Sequence, residues 1–113
     1  MTEPTLFHIV AGSRWRQAMT DGTYAPESLA TEGFVHCSYV DQVEPVANAR
    51  YGDATDLVVV ELDPALLDVP VVVEDTDGSG TSFPHVYGPI HVRAQVGEHA
   101  LSRDADGRWI LAH

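Results

Sequence analysis

EGFVHCS, residues 32–38, sets an imidazole inside a run that otherwise has the make-up of a buried strand. Side chains alternate across a strand, so Phe34, His36 and Ser38 share one face while Val35 and Cys37 share the other. The pattern recurs in LFHIV, residues 6–10, and in FPHVYGPI, residues 83–90. Leu6, His8 and Val10 fall together in the first, and Phe83, His85 and Tyr87 in the second. Two of the three faces therefore combine an aromatic ring, an imidazole and a hydroxyl. Such a face suits a pocket that stacks a planar ligand and hydrogen-bonds its rim. It equally suits a core histidine satisfied by a neighbouring hydroxyl. Three such strands favour a shared cleft.

Around these strands the chain alternates between two periods. Ser13 is a candidate cap for a helix through Met19, with Trp15, Ala18 and Met19 at helical spacing and Asp21-Gly22 as its stop. Asp41 to Glu44 has capping-box spacing and leads a second helix through Arg50 to Gly52. Leu57 to Leu62, with Val58, Val59 and Val60 in succession, reads as a strand buried on both faces. DPALLD is a turn, Val69 to Val73 a further strand, and Asp75 to Ser82 (DTDGSGTS) a loop by composition. Pro84 and Pro89 assign Phe83 to Ile90 to a sheet edge or an extended loop. Val92 to Val96 reads as a short strand. Leu101 and Trp109 to Leu111 flank the turn Asp104 to Gly107, a hairpin. The expected architecture is α+β, a single domain over residues 1–113 with a mostly antiparallel, strongly bent sheet and two main helices.

Composition narrows the function. Seventeen acidic residues face six basic ones, all arginine, for a formal charge of −11. That charge repels phosphate backbones and excludes an extended nucleic-acid surface, although Arg14 and Arg16 can hold one anionic group locally. The single cysteine, Cys37, cannot bridge within the chain. No run has the length of a membrane span, and the first residues have no leader-like pattern. A cytoplasmic protein with a small-molecule ligand is expected, its oligomeric state open.

No HxH, HExxH or CxxC spacing supports a metal site, which leaves only a histidine site assembled from distant strands. Cys37 points away from His36, so a cysteine–histidine pair is not expected. Among the carboxylates, Glu32 opens the histidine strand and Glu74 ends the strand before the loop to His85. Either can orient an imidazole or act in acid–base chemistry when desolvated, with Glu74 the stronger candidate.

LFHIV, EGFVHCS, DLVVVELD and FPHVYGPI, in this order from about Leu6 to Leu101, resemble a family of small bacterial proteins known as domain of unknown function 952. That family looks related in fold to the ADP-ribosyltransferases, especially the compact RNA 2′-phosphotransferase branch. The resemblance implies a split sheet whose halves hold nicotinamide dinucleotide (NAD) in a cleft. It places His8 at the ribose, His36 near a stacking position, and His85 with Tyr87 on the opposite wall. Ile9-Val10 stand where that branch carries a small Gly-Thr pair. The expectation is an enzyme on a nucleotide-like ligand, with His8, His36 and His85 as acid–base groups and Phe34, Ser38, Glu74 and Tyr87 as ligand contacts. The alternatives are a non-catalytic binding module in the same cleft and a histidine metal site.

Overall fold

The computed structural model describes residues 3–112. The first strand, β1 (Leu6–Ala11), runs directly into helix α1 (Gly12–Asp21), then a short strand β2 (Thr23–Tyr24) and a single helical turn α2 (Ser28–Thr31). The histidine strand β3 (Val35–His36) is followed by a 3-10 turn and α3 (Val43–Arg50). Strands β4 (Leu57–Leu62), β5 (Val71–Glu74), β6 (Phe83–Val86), β7 (Ile90–His91), β8 (Gln95–Arg103) and β9 (Trp109–Leu111) complete the chain. They form a four-stranded sheet of order β1-β4-β8-β9, a pair β2-β7 and a three-stranded sheet β3-β6-β5. Every paired strand is antiparallel. The fold is mixed α and β, mostly antiparallel, with few helices, as the sequence indicated.

The continuous apolar runs of β1 and β4 are explained by burial on both faces. Leu6, Val10, Val60 and Leu62 join one core with Trp15, Tyr24, Val35, Cys37, Val86 and Ile90. Phe7, Ile9 and Val59 join a second with Val43, Val46, Ala47, Leu101, Trp109 and Leu111. The central sheet thus lies between α3 on one side and the β3-β6-β5 sheet with α1 on the other. The two sheets are tied where Phe7 and Ser38 exchange both backbone hydrogen bonds, at 2.8 Å each. That junction brings the histidine of β1 beside the histidine of β3.

Four local expectations are corrected. Helix α1 is not capped by Ser13, which lies inside it. Asp56 from the loop before β4 does the work instead: its backbone oxygen accepts the Gly12 N–H at 3.0 Å and its carboxylate the Ser13 N–H at 3.2 Å. Met19 is exposed while Trp15 and Ala18 are buried. The Asp41–Glu44 box does not form either. Gln42 reaches back to the Tyr39 N–H at 2.9 Å, and Glu44 accepts the Leu111 N–H at 2.8 Å, stapling α3 to β9. Residues 92–94 form a 3-10 turn, and the strand beyond them is the long β8.

Most telling, β6 is the centre of its sheet rather than an edge, despite Pro84. The Pro84 carbonyl accepts the Cys37 N–H at 3.0 Å. The N–H and C=O of one strand residue point to the same side, so the missing donor also faces β3, just beyond the Val35–His36 ladder. No rung with β5 is lost.

Candidate functional site

His8 is 8% exposed, and both its ring nitrogens are engaged. Nδ1 lies 2.8 Å from the His36 carbonyl oxygen, an acceptor only, so Nδ1–H donates. Nε2 is then an acceptor, and the Tyr24 hydroxyl donates a hydrogen bond to it at 2.8 Å. The ring is thereby fixed as the neutral Nδ1–H tautomer. Burial pushes its pKa down to about 4 and that of the Tyr24 phenol up to about 12. His8 keeps no nitrogen for a ligand; it holds the backbone of His36 in place.

His36 is different. Its Nε2 is buried with no hydrogen-bond partner, and its ring packs against Phe83 and His85 with centroids 4.8 and 5.4 Å away. Desolvation, then the positive charge of Arg50, holds its pKa down to about 4. At neutral pH it is an uncharged imidazole with an unused polar atom. Such an orphan in an otherwise satisfied interior is a mark of function or of an absent partner.

His85, directly across from His36 on β6, is 2% exposed. Its Nδ1–H donates to Glu74 Oε2 at 2.9 Å, and the Tyr87 hydroxyl donates to the same oxygen. These two donors, Tyr87 first, hold the Glu74 carboxyl below its ordinary range, so it is ionised at neutral pH. Phe34 lies flat on the other side, its ring 3.9 Å from that of His85 at an interplanar angle of 10°. A carboxylate on Nδ1 and a ring against the face fix the imidazole's tautomer and orientation, the arrangement used by general bases.

Two hollows meet at these residues. One, of about 230 Å³, is lined by Glu32, Phe34, His36, Arg50, Thr76, Asp77, Phe83 and His85. The other, of about 430 Å³, lies along His8, the end of β1, Arg14, Tyr24 and Tyr51. Glu32, His36 and Arg50 belong to both. Of the expected residues, His36, His85 and Phe34 face the first hollow and His8 the second. Glu74 and Tyr87 stand behind His85 as supports and line neither. Ser38 also lines neither: it is 1% exposed, and its backbone serves the bridge to Phe7. Strand β3 ends at His36, so the alternation that placed Ser38 beside it does not persist.

Sequence reasoning passed over Arg50, Tyr24 and Asp77. The first carried a signal: an arginine is scarce in so acidic a chain, and Arg50 ends the helix that follows the histidine strand. Cys37 is fully buried with its thiol pushed up to about 12, an inert core residue. Among the described residues no cluster of three or more His, Cys, Asp or Glu is arranged to hold a metal ion. None of the helices is long and apolar enough to cross a membrane, among the same residues.

The fold and cleft define a small α+β protein built on facing histidine strands. Residues 9–97 match the family described as "Protein of unknown function (DUF952)", and the chain belongs to that family. No curated protein matches it. Among solved structures, the crystal structure of protein CC0527 from Caulobacter crescentus is similar at 28% identity, with a TM-score of 0.80 over 94% of this chain and 93% of that one. The solution structure of the same protein gives 28% identity and a TM-score of 0.74 over 92% and 90%.

Proposed function

We propose that the chain is a small enzyme acting on a nucleotide-like ligand, with nicotinamide dinucleotide the first candidate, on a scaffold of ADP-ribosyltransferase-like type. The observation that supports it is the pair of adjoining hollows joined by His36 and Arg50, with a Glu74-oriented His85 at one wall. In this reading His85 transfers protons through Nε2, and His36 offers its unpartnered Nε2 to a ribose hydroxyl. Phe83 and Phe34 flank the ligand's planar end. His8 acts through the His36 carbonyl and does not touch the ligand.

The test is thermal unfolding of wild type and His36→Ala with nicotinamide dinucleotide, ADP-ribose and AMP. A ligand at about 100 times its Kd adds about 2.7 kcal/mol to the native state. The expected result is a shift in wild type that a folded His36→Ala loses. No shift with any of the three removes the nucleotide reading, and a shift retained by His36→Ala moves the ligand out of this cleft. A second reading, a non-catalytic binding module, is favoured by His8, whose two engaged nitrogens leave one histidine fewer for chemistry. Binding with no nicotinamide released on incubation selects it.

A further inference from the structure

The guanidinium shared by both hollows is already in use. Arg50 Nη2 meets Asp77 Oδ2 at 3.1 Å, and Asp77 itself lines the smaller hollow. Both side chains are about half exposed, so the pair is exchangeable rather than locked. Asp77 rides on the loop between β5 and β6, whose turn is held within itself mainly by carboxylates, with Thr81 N–H also donating to the Ser79 hydroxyl at 3.4 Å. Asp75 accepts the Ser79 and Gly80 N–H groups at 3.2 and 2.8 Å, and Asp77 accepts the Ser79 N–H at 3.1 Å. Gln42 Nε2 donates to the Ser82 oxygen at 3.0 Å and tethers the far end of the loop, so the turn before it can leave Arg50 as a preformed unit. The larger hollow holds a second arginine, Arg14, in a chain with only six. One cation shared by both hollows and covered by an internal carboxylate, with a second lining the larger hollow, forms a receptor for an anion bridging the hollows.

We propose that Asp77 is a built-in stand-in for a ligand phosphate: a phosphate-class group takes its place on Arg50, and the 75–82 loop swings from Arg50 to cover the occupied hollow. This deepens the nucleotide reading by naming the group recognised and the segment that responds, and it rests on that reading for the nucleotide part of the ligand alone. The exchange breaks and makes ion pairs only, with no covalent step. An exposed ion pair of this kind is weak, so freeing Arg50 changes phosphate affinity by about threefold rather than by orders of magnitude.

The experiment is calorimetric titration of inorganic pyrophosphate into wild type, Asp77→Asn, Arg50→Gln and, as a control for charge alone, the remote Asp106→Asn. Amide NMR signals of Gly78 and Gly80 are followed in parallel. Asp77→Asn is expected to bind about threefold tighter than both wild type and Asp106→Asn, while Arg50→Gln, with Arg50→Lys in reserve should it fail to fold, loses binding. Pyrophosphate is expected to move the Gly78 and Gly80 signals of wild type. Equal affinity of Asp77→Asn and Asp106→Asn overturns the stand-in role. Unchanged binding by Arg50→Gln, or no pyrophosphate binding by any variant, overturns the receptor. Arg50-dependent pyrophosphate binding without binding of ADP-ribose or AMP leaves this proposal standing and removes the nucleotide reading, so the two fail separately.

Discussion

At the scale of single residues, three similar histidines have three different fates, and the difference is which ring nitrogens are satisfied. His8 bonds at both ends, so replacing it with Ala leaves the Tyr24 hydroxyl and the His36 carbonyl buried without partners. Each such group costs about 1–3 kcal/mol. His36 makes no hydrogen bond through Nε2, so His36→Ala forfeits packing alone. Urea unfolding is expected to show His8→Ala destabilised by about 3 kcal/mol or more and His36→Ala by less than half as much; the reverse order would contradict the hydrogen-bond assignment. Glu74→Gln keeps the shape beside His85 and removes the charge. It is expected to cut whatever turnover the cleft supports while leaving binding of a neutral ligand such as nicotinamide nearly intact, measured as kcat against KM. The cleft faces of Phe34, His36, Phe83 and His85 were legible from strand alternation alone. Which nitrogen each ring spends was not, because Tyr24 and Glu74 reach them through contacts that no periodicity encodes.

At the scale of elements, the boundaries that sequence misplaced are those fixed from a distance. Asp56 caps α1 from 43 residues away along the chain, so Ser13, the local candidate, is left inside the helix. Asp56→Ala is expected to cost about 1 kcal/mol, the ordinary worth of a cap, and Ser13→Ala a few tenths at most. A denaturation midpoint lower for Ser13→Ala than for Asp56→Ala would return the cap to Ser13. Pro84 shows the same limit: proline excludes a central strand only where the lost donor faces a ladder, and only the register shows which side it faces. Gly88, by contrast, is set by close packing. A Cβ there would lie 2.5 Å from Val69 Cγ1 and 2.9 Å from its Cβ, both parts of a short branched side chain with little room to turn. Gly88→Ala is expected to destabilise by about 1–3 kcal/mol through overpacking, read by calorimetry. If it proves neutral, the 67–70 segment has more freedom than its packing indicates.

At the scale of the whole molecule, the acidity and the buried histidines pull stability in opposite directions as pH falls. From neutrality toward the sequence pI near 4.6 the charge of −11 is progressively neutralised, which relieves repulsion and stabilises the fold. His8 and His36 act the other way. Their pKa values drop from 6.5 in the unfolded chain to about 4 in the fold, so between those limits the unfolded state binds more protons. The stability they confer is complete above pH 6.5 and is lost progressively down to about pH 4. For His8, fully enclosed, the loss is about 3 kcal/mol. His36, partly open to solvent, adds less. From about pH 4.5 downward the depressed carboxyls of Glu74 and Glu61, and from about pH 3.8 that of Asp77, add to the loss, because each favours folding only while ionised. Salt separates the two effects, since surface repulsion is screened within a few ångströms at 1 M while enclosed imidazoles are not. In 1 M salt, urea unfolding is expected to give a stability that falls steadily from pH 7 to pH 4.5, more steeply than at low salt where charge relief offsets part of it. A stability that stays flat or rises toward acid in 1 M salt would mean that His8 and His36 are protonated inside the fold, and the neutral tautomer that holds the cleft together would be wrong.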